Sequence, residues 1–177
     1  MQTSDVEALY DAELRPIRVW RRNTLGVSKR PDGNADIKLF ELRTTPIGVK
    51  HRGDDGKIDF EELRAPAKPE VLVGPGRGIV SLWLRKAHLA PGEKTHAIGF
   101  DFRGVEKVER MALERFPDRR IDFLGRTARV YTYFGKETVF ANDDDVVIGD
   151  LAGLVPLGPN APPPVPTFEP IDPVHSP

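Results

Sequence analysis

Cysteine is absent from the chain. That excludes disulfides, thiolate metal sites and a cysteine nucleophile. A charge surplus is absent too, because 26 Lys and Arg against 27 Asp and Glu leave a net charge of -1. Bulk electrostatics therefore do not draw the protein to nucleic acid or to a membrane surface. No apolar run approaches the roughly 18 residues that a membrane span needs. The start, "MQTSDVEALYDAEL", is acidic and has no apolar core of a signal peptide. The expectation is cytoplasmic synthesis without a cleaved signal, with delivery into another cell left open. Histidine is scarce: His51, His88, His96 and His175, with no HxH or HxxxH spacing. No metal is expected.

Proline is plentiful. Nine of the 17 prolines fall within the last 22 residues, "PLGPNAPPPVPTFEPIDPVHSP". The 177 residues therefore divide into an expected single domain over 1–155 and an extended, polyproline-like tail over 156–177.

The patterning predicts a helix over 4–14, where Ser4 and Glu7 match a capping box and Val6, Leu9, Tyr10 and Leu14 keep helical spacing. It predicts strands over 17–22, 37–43, 70–74, 79–85, 95–102, 121–125 and 146–151. A long irregular excursion is expected over 44–69. The segment "GVEKVERMALERF" (104–116) reads as the main helix, because Val105, Val108, Met111, Ala112 and Phe116 share one helical face and Pro117 follows. A hairpin is expected over 128–142, with Gly135-Lys136 as a two-residue turn. The fold class expected is α+β: mainly antiparallel, strongly bent sheet or sheets with two or three helices and a proline-rich C-terminal tail.

Several stretches resemble chemical motifs. "HRGDDGKIDFEEL" (51–63) places Gly56, Ile58, Asp59 and Glu62 where the second half of a calcium-binding EF-hand loop would. The first-half positions hold His51, Gly53 and Asp55, so two of three oxygen ligands are missing, and an acidic surface turn is the better reading. "RGD" at 52–54 reads as coincidence. "NDDDVVIGD" (142–150) clusters four aspartates, but neighbours on an extended segment point to opposite faces, so a solvated turn is expected. "GPGRG" (74–78) has neither a GK[ST] ending nor, on this reading, a following helix. It leaves a glycine turn whose backbone can still form an anion nest. In "IRVWRR" (17–22), inward Ile17 and Val19 put Arg18 and Trp20 together on the other face. That face needs a cover for the indole, and a cleft holding both residues is expected.

The order of these parts resembles that of small ADP-ribosyltransferase-like bacterial toxins, including compact type VI secretion effectors. The parts are an early-strand arginine in "IRVWRR", the glycine turn and lone serine of "GPGRGIVSLWL", and a late hairpin "VYTYFGKETVF". The resemblance implies NAD as substrate. Arg18 would grip the dinucleotide phosphates, with Arg21 as a rival, Ser81 would organise the nicotinamide pocket, and Glu137 would stabilise an oxocarbenium-like transition state. Trp20, Gly76, Gly78, Trp83 and His96 would line the NAD site. Ser81 stands alone where the family carries Ser-Thr-Ser, and Glu137 lacks the paired acid or amide two residues before it.

A competing reading is a non-catalytic interaction module: a secretion or phage component, or an immunity-type partner. It would use "APPPVP" (161–166) as a docking segment for an aromatic groove. A cognate immunity or inhibitor protein is the partner that the toxin reading implies. A metal-free nuclease cleft around His96 is a third reading, and the even charge counts against it.

Overall fold

The computed structural model describes residues 3–24, 36–52, 57–74, 77–103, 106–135 and 137–151. Within them the chain is mainly β, with eleven strands in two sheets and one α-helix. This corrects the α+β expectation of two or three helices. The first sheet is a five-stranded antiparallel meander in sequence order: β1 (Thr3–Tyr10), β2 (Pro16–Thr24), β3 (Asp36–Glu41), β4 (Gly48–Arg52) and β5 (Ile58–Glu62). The second contains β6 (Val71–Val73), β7 (Lys94–Asp101), β8 (Lys107–Ile121), β9 (Arg126–Tyr133), β10 (Glu137–Ala141) and β11 (Val147–Asp150). Its order is β11-β10-β9-β8-β7-β6. Every pairing is antiparallel except β6 with β7.

That parallel pair explains the single helix. Parallel neighbours need a crossover connection, and α1 (Arg77–Ala87) supplies it. The segment 79–85 is therefore not a strand. Val80, Ser81, Trp83 and Leu84 are buried, and their spacing is that of one helical face. Arg85 and Lys86 occupy the last turn, where cations suit the helix dipole.

The expected helix over 104–116 is instead the long strand β8. Val108 and Met111, three apart, would share a helical face. On the strand they point to opposite sides, Val108 into the core between the sheets and Met111 into the core beneath α1. Pro117 does not end a helix; it sits in a bulge between Phe116 and Arg119, a place in a sheet where proline is tolerated. The expected helix over 4–14 is β1, whose Val6, Ala8 and Tyr10 alternate onto the inter-sheet core. The excursion over 44–69 contains β4 and β5, and 122–124 is a 3-10 turn rather than a strand. The β9–β10 hairpin is present, but Tyr133 pairs with Glu137 across three residues rather than two. Phe134 and Gly135 there take φ of 55° and 71°.

Two cores result. Between the sheets, Phe40 meets Phe100 edge-on at 4.9 Å, and Phe100 stacks on Phe102 at 5.6 Å. Val19, Leu42, Val49, Leu72 and Val108 surround them. On the other face of the second sheet, Val80, Trp83 and Leu84 of α1 pack over Met111, Leu113, Tyr131, Tyr133 and Val139. No helix among the described residues is long and apolar enough to cross a membrane.

Candidate functional site: a groove at the seam of the two sheets

The residues expected to form an NAD site take up three separate settings. Arg18 lies on the face of the first sheet that points away from the core. Its Nε donates to Glu41 Oε2 at 3.0 Å, and its guanidinium stands 5.4 Å from the Trp20 ring. The expected pairing of Arg18 with Trp20 on one face is thus present. Ser81 is buried on α1, where its Oγ accepts the Val147 N–H at 2.9 Å. Trp83 is buried beside Tyr133, 6.5 Å between rings. Ser81 and Trp83 therefore face the second sheet, not a cleft shared with Arg18. Glu137 opens β10, 3.3 Å from Arg103. That guanidinium lies over Phe134 and Tyr133, and its hydrogen bonds to Asp101 raise its pKa. His96 is exposed on β7. Gly78 lies in the first turn of α1, where an added Cβ would meet nothing within 4 Å. Gly76 lies outside the described residues. A helix does follow the glycine turn, contrary to the sequence reading.

Arg21 has the opposite orientation to Arg18. Strand alternation puts it on the Val19 face, inside the seam between the sheets, where it is only 5% exposed. Its Nη1 donates to the Phe102 carbonyl and its Nη2 to Glu106 Oε1 at 2.7 Å. Lys38 Nζ reaches the same Glu106 oxygen at 2.8 Å. One carboxylate from the second sheet's side thus holds two cations of the first. Buried charge is tolerated when paired in this way.

Glu106 also lines an open groove of about 720 Å³, with Glu61, Glu62, Leu63, Arg64, Ala65, Pro66, Lys107 and Val108. Leu63 and Val108 give an apolar floor, and Glu61, Glu62, Arg64 and Lys107 an exposed charged rim. The volume falls in the range of ligand clefts. One wall continues β5, an edge strand with all five residues exposed. The sequence reading missed this site. Glu106 was hidden inside an expected helix, and β5 inside an expected excursion. One signal was available: if Val19 faces the core, so does Arg21, and a buried guanidinium requires a carboxylate.

A second polar cluster ties the end of α1 to the second sheet. Asp145, at φ 58°, accepts Tyr131 Oη–H at 2.6 Å and Arg129 Nη1–H at 2.8 Å. His88 Nδ1 stands 3.7 Å away. Burial first, and Asp145 second, push the Tyr131 pKa up to about 12. Of the acidic run expected to be solvated, Asp143 and Asp144 are exposed, but Asp145 is a buried structural acceptor. The two flanks of the EF-hand-like stretch are paired strands, with His51 opposite Asp59; residues 53–56 lie outside the described residues. Among the described residues no group of three or more His, Cys, Asp or Glu side chains could hold a metal.

No family model matches the chain, and no curated protein matches it. Among solved structures it is similar to the crystal structure of a DUF1089 family protein from Pseudomonas aeruginosa. The identity is 12% and the TM-score 0.58, over 88% of this chain and 78% of that one. At that identity the likeness concerns the fold alone.

Proposed function

We propose that the protein is a non-catalytic interaction module, which binds an extended peptide segment along the β5 edge and the adjoining groove. The observation that carries this reading is the juxtaposition of a fully exposed edge strand with an open groove of about 720 Å³. In the sheet order β5 has only β4 as a neighbour. An edge strand presents ladder N–H and C=O groups outward, and an incoming strand can take them up. Asp59, Glu61 and Glu62 are exposed along this edge. Opposite charges across a strand pair are favourable, so the partner strand carries Lys or Arg. The separate settings of Arg18, Ser81 and Glu137 support this reading over NAD chemistry, which needs all three around one sugar.

The test is a chemical-shift titration of the full chain with two probes. One is a ten-residue peptide alternating valine and lysine, the other its valine–glutamate counterpart. Binding of the first, with shifts confined to residues 57–66 and 106–108 and loss in Glu61→Lys/Glu62→Lys, is the expected result. A melting-temperature rise with NAD that disappears in Arg18→Ala would overturn it and restore the transferase reading.

A further inference from the structure

The β5 edge has two chemically different sides, and the register assigns each of its residues to one of them. Asp59 and Glu61 pair with His51 and Val49 of β4. Cross-strand partners share a face, and Val49 belongs to the inter-sheet core. Asp59 and Glu61 therefore stand on the seam side, toward the groove. Ile58, Phe60 and Glu62 stand on the outer side, opposite Arg52, Lys50 and Gly48. Both sides are open. Asp59 and Glu61 are exposed, and Ile58 and Phe60 are 41% and 49% exposed. The Phe60 ring lies over Gly48, where any Cβ would collide with it, so an apolar surface reaches the very edge of the sheet. The nearby cations are engaged or displaced from the strand. Lys50 stands 3.6 Å from Glu41, Lys107 on the groove wall is held by Glu109 at 2.6 Å, and Arg64 lies beyond the end of β5.

A second copy of the chain does not fit this edge. Antiparallel self-pairing about Phe60 would set Asp59 against Glu61, and self-pairing about Asp59 or Glu61 would set that acid against itself. Like charges directly opposite are destabilising. The other edges offer nothing better: none of the four edge strands, β1, β5, β6 and β11, contains Lys or Arg. We infer that the strand taken up at β5 is a foreign, two-sided one, with Lys or Arg opposite Asp59 and Glu61 and large apolar side chains opposite Ile58 and Phe60. This rests on the edge-binding reading above and specifies its ligand. Read along an antiparallel partner, from Glu62 to Ile58, the last four positions are basic, apolar, basic, apolar. Long cations suit the seam side, where the groove lined by Glu61 and Glu106 opens. A slip of one residue would move every side chain to the wrong face. Selection therefore follows the alternation of the partner, not its total charge.

Titrating the full chain with three ten-residue peptides of equal charge tests it. One alternates valine and lysine, one carries the same residues as a block of five valines and a block of five lysines, and one alternates serine and lysine. The first should bind at least about fivefold more tightly than either of the others, as expected for apolar and charged cross-strand pairs acting together. Phe60→Ser should remove that advantage over the serine–lysine peptide and leave the serine–lysine affinity unchanged. Asp59→Lys/Glu61→Lys should transfer the preference to a valine–glutamate peptide. Equal affinity for all three lysine peptides would overturn the inference and leave the edge reading standing, with a basic partner of no fixed pattern. Absence of binding by all three would remove the edge reading and this one with it. A concentration-dependent dimer that dissociates in Phe60→Ser would also overturn the inference, by assigning the edge to a second copy of the chain.

Discussion

The two sheets use their faces differently. The five-stranded sheet buries one face, through Val19, Phe40 and Val49, and on the other covers only its centre, at Leu39 and Glu41, leaving Leu9 and Phe60 at its edges exposed. The six-stranded sheet buries residues on both faces, Leu72, Phe100 and Val108 against its partner and Met111, Leu113 and Tyr131 beneath α1. A one-sided sheet tolerates charge on alternate residues, and so provides a surface for recognition. A two-sided sheet must pair or exclude every polar group, and so acts as the scaffold. The peptide-binding reading proposed above accordingly falls on the first sheet, at its β5 edge.

The comparison breaks most visibly with one substitution made on each kind of face. Phe100 is fully buried between the sheets, and Phe100→Ala should cost about 3–5 kcal/mol in urea unfolding. Phe60, half exposed on the open face, should cost only about 1 kcal/mol as Phe60→Ala. Equal losses would mean that the open face is covered as tightly as the core. The arginines of β2 repeat the contrast three residues apart. Arg21→Met leaves Glu106 with Lys38 alone inside the seam and should cost about 3 kcal/mol. Arg18→Met removes an arginine that is itself 36% exposed, but its partner Glu41 is only 9% exposed and keeps Lys50 at 3.6 Å, so the cost should be smaller than for Arg21, about 1–2 kcal/mol.

Alkaline titration sharpens the contrast by a different route. Burial pushes Tyr10 and Tyr131 up to about 12 from the usual 10.0. Between those values the unfolded chain has lost phenolic protons that the folded chain keeps. The folded state then binds more protons than the unfolded one, so stability falls as pH rises. The contribution is fully present below pH 10 and is lost as pH rises through about 12. Asp145→Asn removes the charged acceptor from Tyr131, so the absorbance titration of that phenol should move down toward the ordinary value. An unmoved titration would leave burial as the whole cause.

Legibility followed the same division. Strands with a single buried face alternate, and β2 stood out in the sequence for that reason. In β8 the apolar residues serve two cores, so their spacing of three and four imitates a helix. Only the sheet pairing shows that Val108 and Met111 never meet. In α1, Ile79, Val80 and Trp83 favour strands by composition, and the parallel register of β6 and β7 overrode that preference. The short β6 was legible because apolar residues without alternation, ahead of a glycine turn, mark a strand buried on both sides. Within the site, the shared parity of Val19 and Arg21 was a signal of a buried cation that the sequence reading did not use, having set Arg21 beside Arg18 as a phosphate ligand. The partner of Arg21, Glu106, lies 85 residues away, and no local pattern could name it.

The smallest expected effect tests the glycine turn itself. Gly78 is the second residue of α1, and a methyl group there meets open space. Alanine is a better helix former than glycine, because glycine has more backbone freedom to lose on folding. In the first turn Gly78→Ala should therefore stabilise by about 0.5 kcal/mol, or raise Tm by about 1–2 °C for a domain of this size. If the turn cradled a dinucleotide phosphate, the added methyl would stand between the ligand and the backbone N–H groups. The variant would then gain stability while losing any melting-temperature response to NAD. If the turn only carries the chain from β6 into the crossover helix, the gain in Tm should be the same with and without NAD. Calorimetry of wild type and variant under both conditions separates the two roles.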